Sequence, residues 1–193
     1  MVIGITGGVG CGKSTVMKLL QEQYGAKLLV ADELGHQVME PGTQAYALIR
    51  QKFGEDLVLE NGQLDRNLLA ERIYADERGR EKLNAIIHPC VKEMIRQKLK
   101  EWREEPLVCL ETAIMFETGC DEFCNQVWCV LTERETRIRR LMESRGYSRE
   151  KAEAIMRVQL PDEEWIRRCD ECVENNGNLS KLLERLQELL VTG

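Results

Sequence analysis

The chain has 193 residues, with 33 acidic against 27 basic side chains, a formal net charge of −6 and 43% hydrophobic residues. That is enough chain for one compact domain with a buried core, and the acidic balance argues against a surface that grips nucleic acid by neutralising its phosphates. No run approaches the ~18 to 20 apolar residues of a membrane span, and Val2–Thr6 is too short for a secretory signal, so the expected setting is the cytoplasm, with no membrane partner and the eight cysteines reduced.

Val2–Thr6 reads as a short buried strand. It runs into Gly7-Gly8-Val9-Gly10-Cys11-Gly12-Lys13-Ser14-Thr15, a full G-x-x-x-x-G-K-[S/T] pattern in the context that pattern requires, a strand before it and a helix after. The glycines permit a turn too tight for side chains, so backbone N–H groups point at phosphate oxygens while the next helix adds its positive end. Lys13 then reaches the β- and γ-phosphates and the Ser14 hydroxyl sits on the nucleotide's magnesium ion, with Gly8, Gly10, Cys11, Gly12 and Thr15 completing the cradle. The helix Lys13–Tyr24 carries Val16, Leu19, Leu20 and Gln23 at a 3.6 period and stops at Gly25.

Further strands are expected at Lys27–Ala31, Leu107–Leu110, Val127–Leu131 and Cys172–Glu174, separated by amphipathic helices. This alternation predicts a five-stranded parallel sheet covered by helices on both faces, a three-layer α/β/α arrangement. Between the second and third strands about 75 residues read almost wholly as helix, with breaks at Pro41-Gly42, Gly54, Asn61-Gly62 and His88-Pro89. A crossover needs one helix, so the excess, about 32–105, is expected to form a helical insertion over the carboxyl edge of the sheet, where ligands bind in open α/β folds. Two helices near Glu133–Ser144 and Ser148–Val158 flank Arg145-Gly146-Tyr147. They fall in a flap or lid of about 133–169, leaving 1–31, 106–132 and 170–193 as the core of a single domain. The last helix, about Leu179–Val191, has Leu179, Leu182, Leu183, Leu186, Leu189 and Leu190 as its apolar face.

A phosphate cradle alone establishes nucleotide binding, since motors, switches and kinases share it. Phosphoryl transfer also needs an acid near the acceptor hydroxyl, a second acid on the metal's water shell and cations over the migrating phosphate. Asp32, just after the second strand, suits the first role as a base; it would equally serve as the N-cap of a helix Glu33–Met39. Glu111 ends the third strand, where a carboxylate binds magnesium through water or is simply solvated. Arg139 has Glu135 and Glu143 four residues to either side and reads as a surface pair-former. Arg140 and Arg145 are better placed on a flap to bring N–H donors to the γ-phosphate. His36, one helical turn after Asp32, would touch a phosphate if it faces the crevice, and neither it nor His88 reads as a metal ligand.

Cys120-x-x-x-Cys124 and Cys169-Asp-Glu-Cys172 together offer four thiolates to a zinc ion, and the second alone offers a redox pair. Neither is framed by a glycine-rich knuckle, and Cys109 and Cys129 lie in strand-like runs, so ordinary thiols are expected. Cys11, inside the cradle, is a candidate for oxidation that would block ATP.

Together these residues resemble the dephospho-CoA kinase family. The likeness starts at Ile3–Thr15 and continues through Ala31-Asp32, Glu40-Pro41-Gly42-Thr43, Gly62-Gln63-Leu64-Asp65-Arg66, His88-Pro89 and Glu111-Thr112-Ala113-Ile114-Met115-Phe116-Glu117. It closes with Arg140-Leu141, Arg145-Gly146, Gln159 and Asn175-Asn176-Gly177, in matching order and spacing. The resemblance implies transfer of the ATP γ-phosphate to the ribose 3′-hydroxyl of dephospho-CoA, with Mg2+, on a P-loop core with a helical CoA-binding insertion and a lid. It implies Asp32 as base, Arg140 as the lid arginine, Asn175, Asn176 and Gly177 near the nucleotide base, and Asp65, Arg66 and His88 in the acceptor region. Two positions depart from the family pattern: Val30-Ala31-Asp32 stands where Asp-Ala-Asp is usual, and His36 where arginine is usual. Competing readings are another small-molecule P-loop kinase, of nucleoside monophosphate or shikimate type, and a regulatory nucleotide switch; the latter calls for an N-K-x-D motif, which the sequence lacks. The acidic charge and leucine-rich last helix suit a monomer as well as a small homo-oligomer.

Overall fold

The computed structural model describes residues 1–76 and 78–192, with Thr192 by its backbone alone. Five strands, β1 (Val2–Thr6), β2 (Lys27–Val30), β3 (Val108–Glu111), β4 (Gln126–Leu131) and β5 (Glu171–Glu174), form one sheet in the order β2-β3-β1-β4-β5. β1 pairs in parallel with β3 on one side and β4 on the other, and β4 pairs in parallel with β5. The chain thus leaves β1 at the point where strand order reverses, the place where open α/β sheets bind ligands. Ile3, Ile5, Cys109, Leu110, Trp128 and Cys129 are wholly buried, as strands covered on both faces require.

The helices are α1 (Lys13–Tyr24), α2 (Ala31–Gln37), α3 (Gln44–Phe53), α4 (Arg66–Ala75), α5 (Gly79–Glu101), α6 (Arg134–Arg145), α7 (Arg149–Arg157), α8 (Asp162–Arg168) and α9 (Leu179–Thr192). The chain divides into two compact units, Met1–Leu29 with Glu104–Gly193, and Val30–Arg103. The second has its own core of Tyr46, Ile49, Leu57, Leu64 and Leu69, flanked by Phe53, Ile73 and Ile86 among others.

Several expectations are corrected. The break at His88-Pro89 is absent: α5 runs unbroken through Pro89. A proline there forfeits one hydrogen bond and strains the preceding turn, and packing of α5 against α2, α3 and α4 outweighs that local loss. Asp32 does not cap its helix. α2 starts one residue earlier, with Val30 in the N-cap position and Asp32 in the first turn. α8 was not anticipated; Pro161 initiates it, three acidic residues occupy its first turn and two arginines its last, as the helix dipole favours. Gln23 is exposed, and α1 instead buries Met17 beside Val16, Leu19 and Leu20.

On α9, Leu182, Leu186 and Leu189 are buried, whereas Leu179 stays 53% exposed because it only begins the helix. Leu186→Ala should therefore cost about 2–5 kcal/mol in urea unfolding, and Leu179→Ala no more than about 0.5 kcal/mol. Equal costs would contradict this packing of the last helix.

Candidate active site

The loop after β1 is shaped by what its glycines exclude. Gly12 has φ 89°, and a Cβ there would also run into the Asn175 side-chain amide nitrogen. Gly8 lies against the Arg137 guanidinium with no room for a methyl group. Ser14 and Thr15, both exposed, open α1. Turned in this way, the loop offers its N–H groups and the positive end of α1 to an anion.

Lys13 Nζ donates to the carbonyls of Gly7 at 3.0 Å and Gly8 at 3.4 Å and stands 3.7 Å from Glu111 Oε1. The β1–β3 register, with Ile5 opposite Glu111, delivers that carboxylate to the end of β1 where the loop begins. The Ser14 hydroxyl and the Glu111 carboxylate, the latter 15% exposed, are hard oxygen donors of the kind Mg2+ takes together with phosphate oxygens and water.

The carbonyl of Cys11 gathers three partners. Thr132 Oγ1 stands at 2.9 Å, Asn175 Nδ2 donates at 3.0 Å and Arg140 Nη1 donates at 3.3 Å. The Asn175 carbonyl in turn accepts from Arg140 Nη2 at 3.0 Å and has Thr132 Oγ1 at 3.0 Å. Asn176 Oδ1 accepts the Glu133 N–H at 2.9 Å, at the start of α6. Both asparagine side chains therefore brace the loop and α6. The exposed main chain of Asn176 and Gly177 is what this turn offers to solvent.

Cys11 is 1% exposed, and burial pushes its thiol up despite the lowering pull of Lys13. A buried thiol held in its neutral form is a poor nucleophile, which argues against oxidation at this position. The four-thiolate reading also fails. All eight cysteines are free, and among the described residues no group of three or more side chains is arranged to hold a metal. Cys172 Sγ faces Cys129 Sγ across the β4–β5 pair at 3.2 Å, and the Cys169 thiol also lies within hydrogen-bond reach of Cys129. Burial lifts Cys109, Cys124 and Cys172 to about 12.

In the Val30–Arg103 unit, Asp32 and His36 lie one turn apart on α2. Asp65 is the N-cap of α4 and its Oδ1 accepts from the N–H groups of Asn67 and Leu68, both at 3.0 Å. Arg66 lines a hollow of about 170 Å³ with Met39, Glu40, Pro41, Gln63, Leu64 and Leu69. His88 sits in mid-α5, where partial burial lowers its pKa and keeps the ring neutral near pH 7.

The sequence reading missed Thr132, Arg137 and the part played by Gln159. Arg137 is 7% exposed, with Nε donating to the Val9 carbonyl at 3.0 Å. Its signal was present: Arg137 and Arg140, three apart, share one face of α6. Arg139 is exposed as expected, but Glu135 pairs with Arg149 and Arg134.

The dephospho-CoA kinase (CoaE) family model matches residues 1–181. The chain belongs to the dephospho-CoA kinase family. Dephospho-CoA kinase of Geobacter sulfurreducens is 37% identical over 97% of this chain and 96% of its own. That of Fusobacterium nucleatum is 35% identical over 100% and 98%. A crystal structure of a Thermus thermophilus protein, 34% identical, superposes with a TM-score of 0.83 over 100% of this chain and 97% of its own. The protein is thus a phosphotransferase of coenzyme A biosynthesis that uses ATP to phosphorylate dephospho-CoA to CoA, the last step of that synthesis, with Mg2+ as the usual ion of such kinases. The alternative acceptors and the regulatory switch fall away with the family match. Among the described residues no helix is long and apolar enough to cross a membrane.

Gly12→Ala in this kinase should weaken ATP binding at least tenfold, because φ 89° is costly for a side chain and the new methyl displaces Asn175. Isothermal titration with ATP checks this, and unchanged affinity would contradict the bracing geometry.

Proposed function

We propose that ATP is seated on the loop after β1, that the Val30–Arg103 unit takes up dephospho-CoA, and that 133–169 acts as the lid during transfer to the ribose 3′-hydroxyl. The Lys13 ammonium, 3.7 Å from the Glu111 carboxylate at the carboxyl end of β1, with exposed Ser14 next in the chain, carries this reading. Gly8, Gly10, Cys11, Gly12, Lys13, Ser14 and Thr15 hold the phosphates. Ser14 would hold magnesium directly and Glu111 through water. When bound, the ion supplies charge neutralisation on the phosphate oxygens.

Asp32 is the proposed base. It follows the carboxyl end of β2 by two residues and is exposed, so its carboxylate is available to take the acceptor's proton. Arg140 uses Nη donors on the Cys11 and Asn175 carbonyls, which fixes its guanidinium beside the cradle and leaves other N–H groups of the five for a phosphate oxygen. Asn175 acts through the loop, while Asn176 and Gly177 offer main chain to the nucleotide base. On the acceptor side, Asp65 fixes the start of α4, on which Arg66 lies; His36 on α2 and the neutral His88 on α5 are the other residues proposed for the acceptor. The net charge of −6 and the small-molecule site support a cytoplasmic enzyme that works apart from nucleic acid.

A coupled ADP-release assay with ATP, Mg2+ and dephospho-CoA, with the phosphorylated position read by NMR, should give the 3′-phosphate. In that assay Asp32→Asn should lower kcat by about 10²–10⁴ with both substrates still bound; near-normal turnover would remove the base assignment. EDTA should abolish turnover and added Mg2+ restore it, and activity persisting in EDTA would exclude the ion's proposed part.

A further inference from the structure

Val9 has no charge and no reactive group, yet three separate parts of it are held by the α6–α8 segment. Its side chain packs against the apolar cluster of Ile138, Leu141 and Ala152. Its carbonyl accepts from Arg137 Nε at 3.0 Å, and its N–H donates to Gln159 Oε1 at 2.8 Å. Arg137 closes the circuit, donating from Nη2 to Gln159 Oε1 at 3.3 Å and pairing through Nη1 with Asp162 at 3.4 Å. The same guanidinium abuts Gly8, and the Arg137 main chain backs onto Gly10.

Lys13, the side chain that reaches the β- and γ-phosphates in such loops, lies on the carbonyls of Gly7 and Gly8. Gly8 and Val9 are therefore the part of the loop next to the phosphate that is transferred. We infer that Arg137 and Gln159 are positioning residues that lock Val9, and with it the γ-phosphate end of the loop, to their anchor points on the α6–α8 segment. The pair touches no substrate in this role. It fixes the peptide planes on either side of Val9 before ATP arrives, and preorganised donors of this kind lower the cost of binding and of reaction. Lysine cannot replace Arg137, because one ammonium on a flexible stem does not span the Val9 carbonyl, Gln159 and Asp162 in a fixed plane.

The inference rests on ATP being seated in this loop, as proposed above, and its test separates the two. In a double-mutant cycle on kcat/KM for ATP, Arg137→Lys and Gln159→Ala should each lose about tenfold, and the double variant no more than about threefold beyond the worse single. A full hundredfold loss in the double variant, or singles within twofold of wild type, would overturn the coupling. Hydrogen exchange of the Val9 amide reads the lock without turnover: it should speed up at least tenfold in Gln159→Ala while β1 amides stay protected. Uniform acceleration across β1 would mark a merely structural role and sink the inference. Failure of wild type to bind ATP would defeat the seat alone, since Val9 exchange still decides the lock.

Discussion

A loop that turns its N–H groups inward to meet phosphate must turn carbonyls elsewhere, and buried carbonyls need donors. Much of this molecule is arranged around that requirement. Lys13 serves Gly7 and Gly8, Arg137 serves Val9, and Thr132, Asn175 and Arg140 converge on Cys11. The five donors come from four places: α1, α6 (twice), just past the end of β4 and just past the end of β5. The sheet order follows suit, since β4 and β5 stand on one side of β1 and bring Thr132 and Asn175 to the same carbonyl. Arginine and asparagine in this region thus serve as inward braces of the loop.

The framework was legible because its signals are local. Short apolar runs marked all five strands to within a residue or two, and the cradle motif marked its own flanks. α5 was misjudged where a local rule, proline as helix breaker, met packing along more than twenty residues. The bracing of the loop was illegible for a related reason. No pattern in the neighbourhood of Thr132 or Asn175 says that each will reach a carbonyl at position 11; only the parallel register of β1, β4 and β5 does so. Arg137 was hidden among similar neighbours, in a segment where arginine is common and most copies are exposed.

The Val30–Arg103 unit is more plainly a scaffold. Its apolar core, the Thr43 cap of α3 and the Asp65 cap of α4 account for its helices with ordinary means. Val30 and His36, where the family pattern has aspartate and arginine, fall at the start and near the end of α2. The N-cap position filled by Val30 offers no side-chain oxygen to the helix.

The Asn175 amide reaches the Cys11 carbonyl across 164 positions of sequence, and Thr132 reaches it across 121. The cradle is written near the beginning of the chain and finished near its end. As the ribosome extends the polypeptide, the glycine-rich turn emerges early and stays unbraced until β4 and β5 have joined the sheet, and such distant pairings are among the slow events of folding. Nucleotide affinity is consequently a late-acquired property, so ATP rewards only the finished sheet and stabilises it against reopening at its β5 edge.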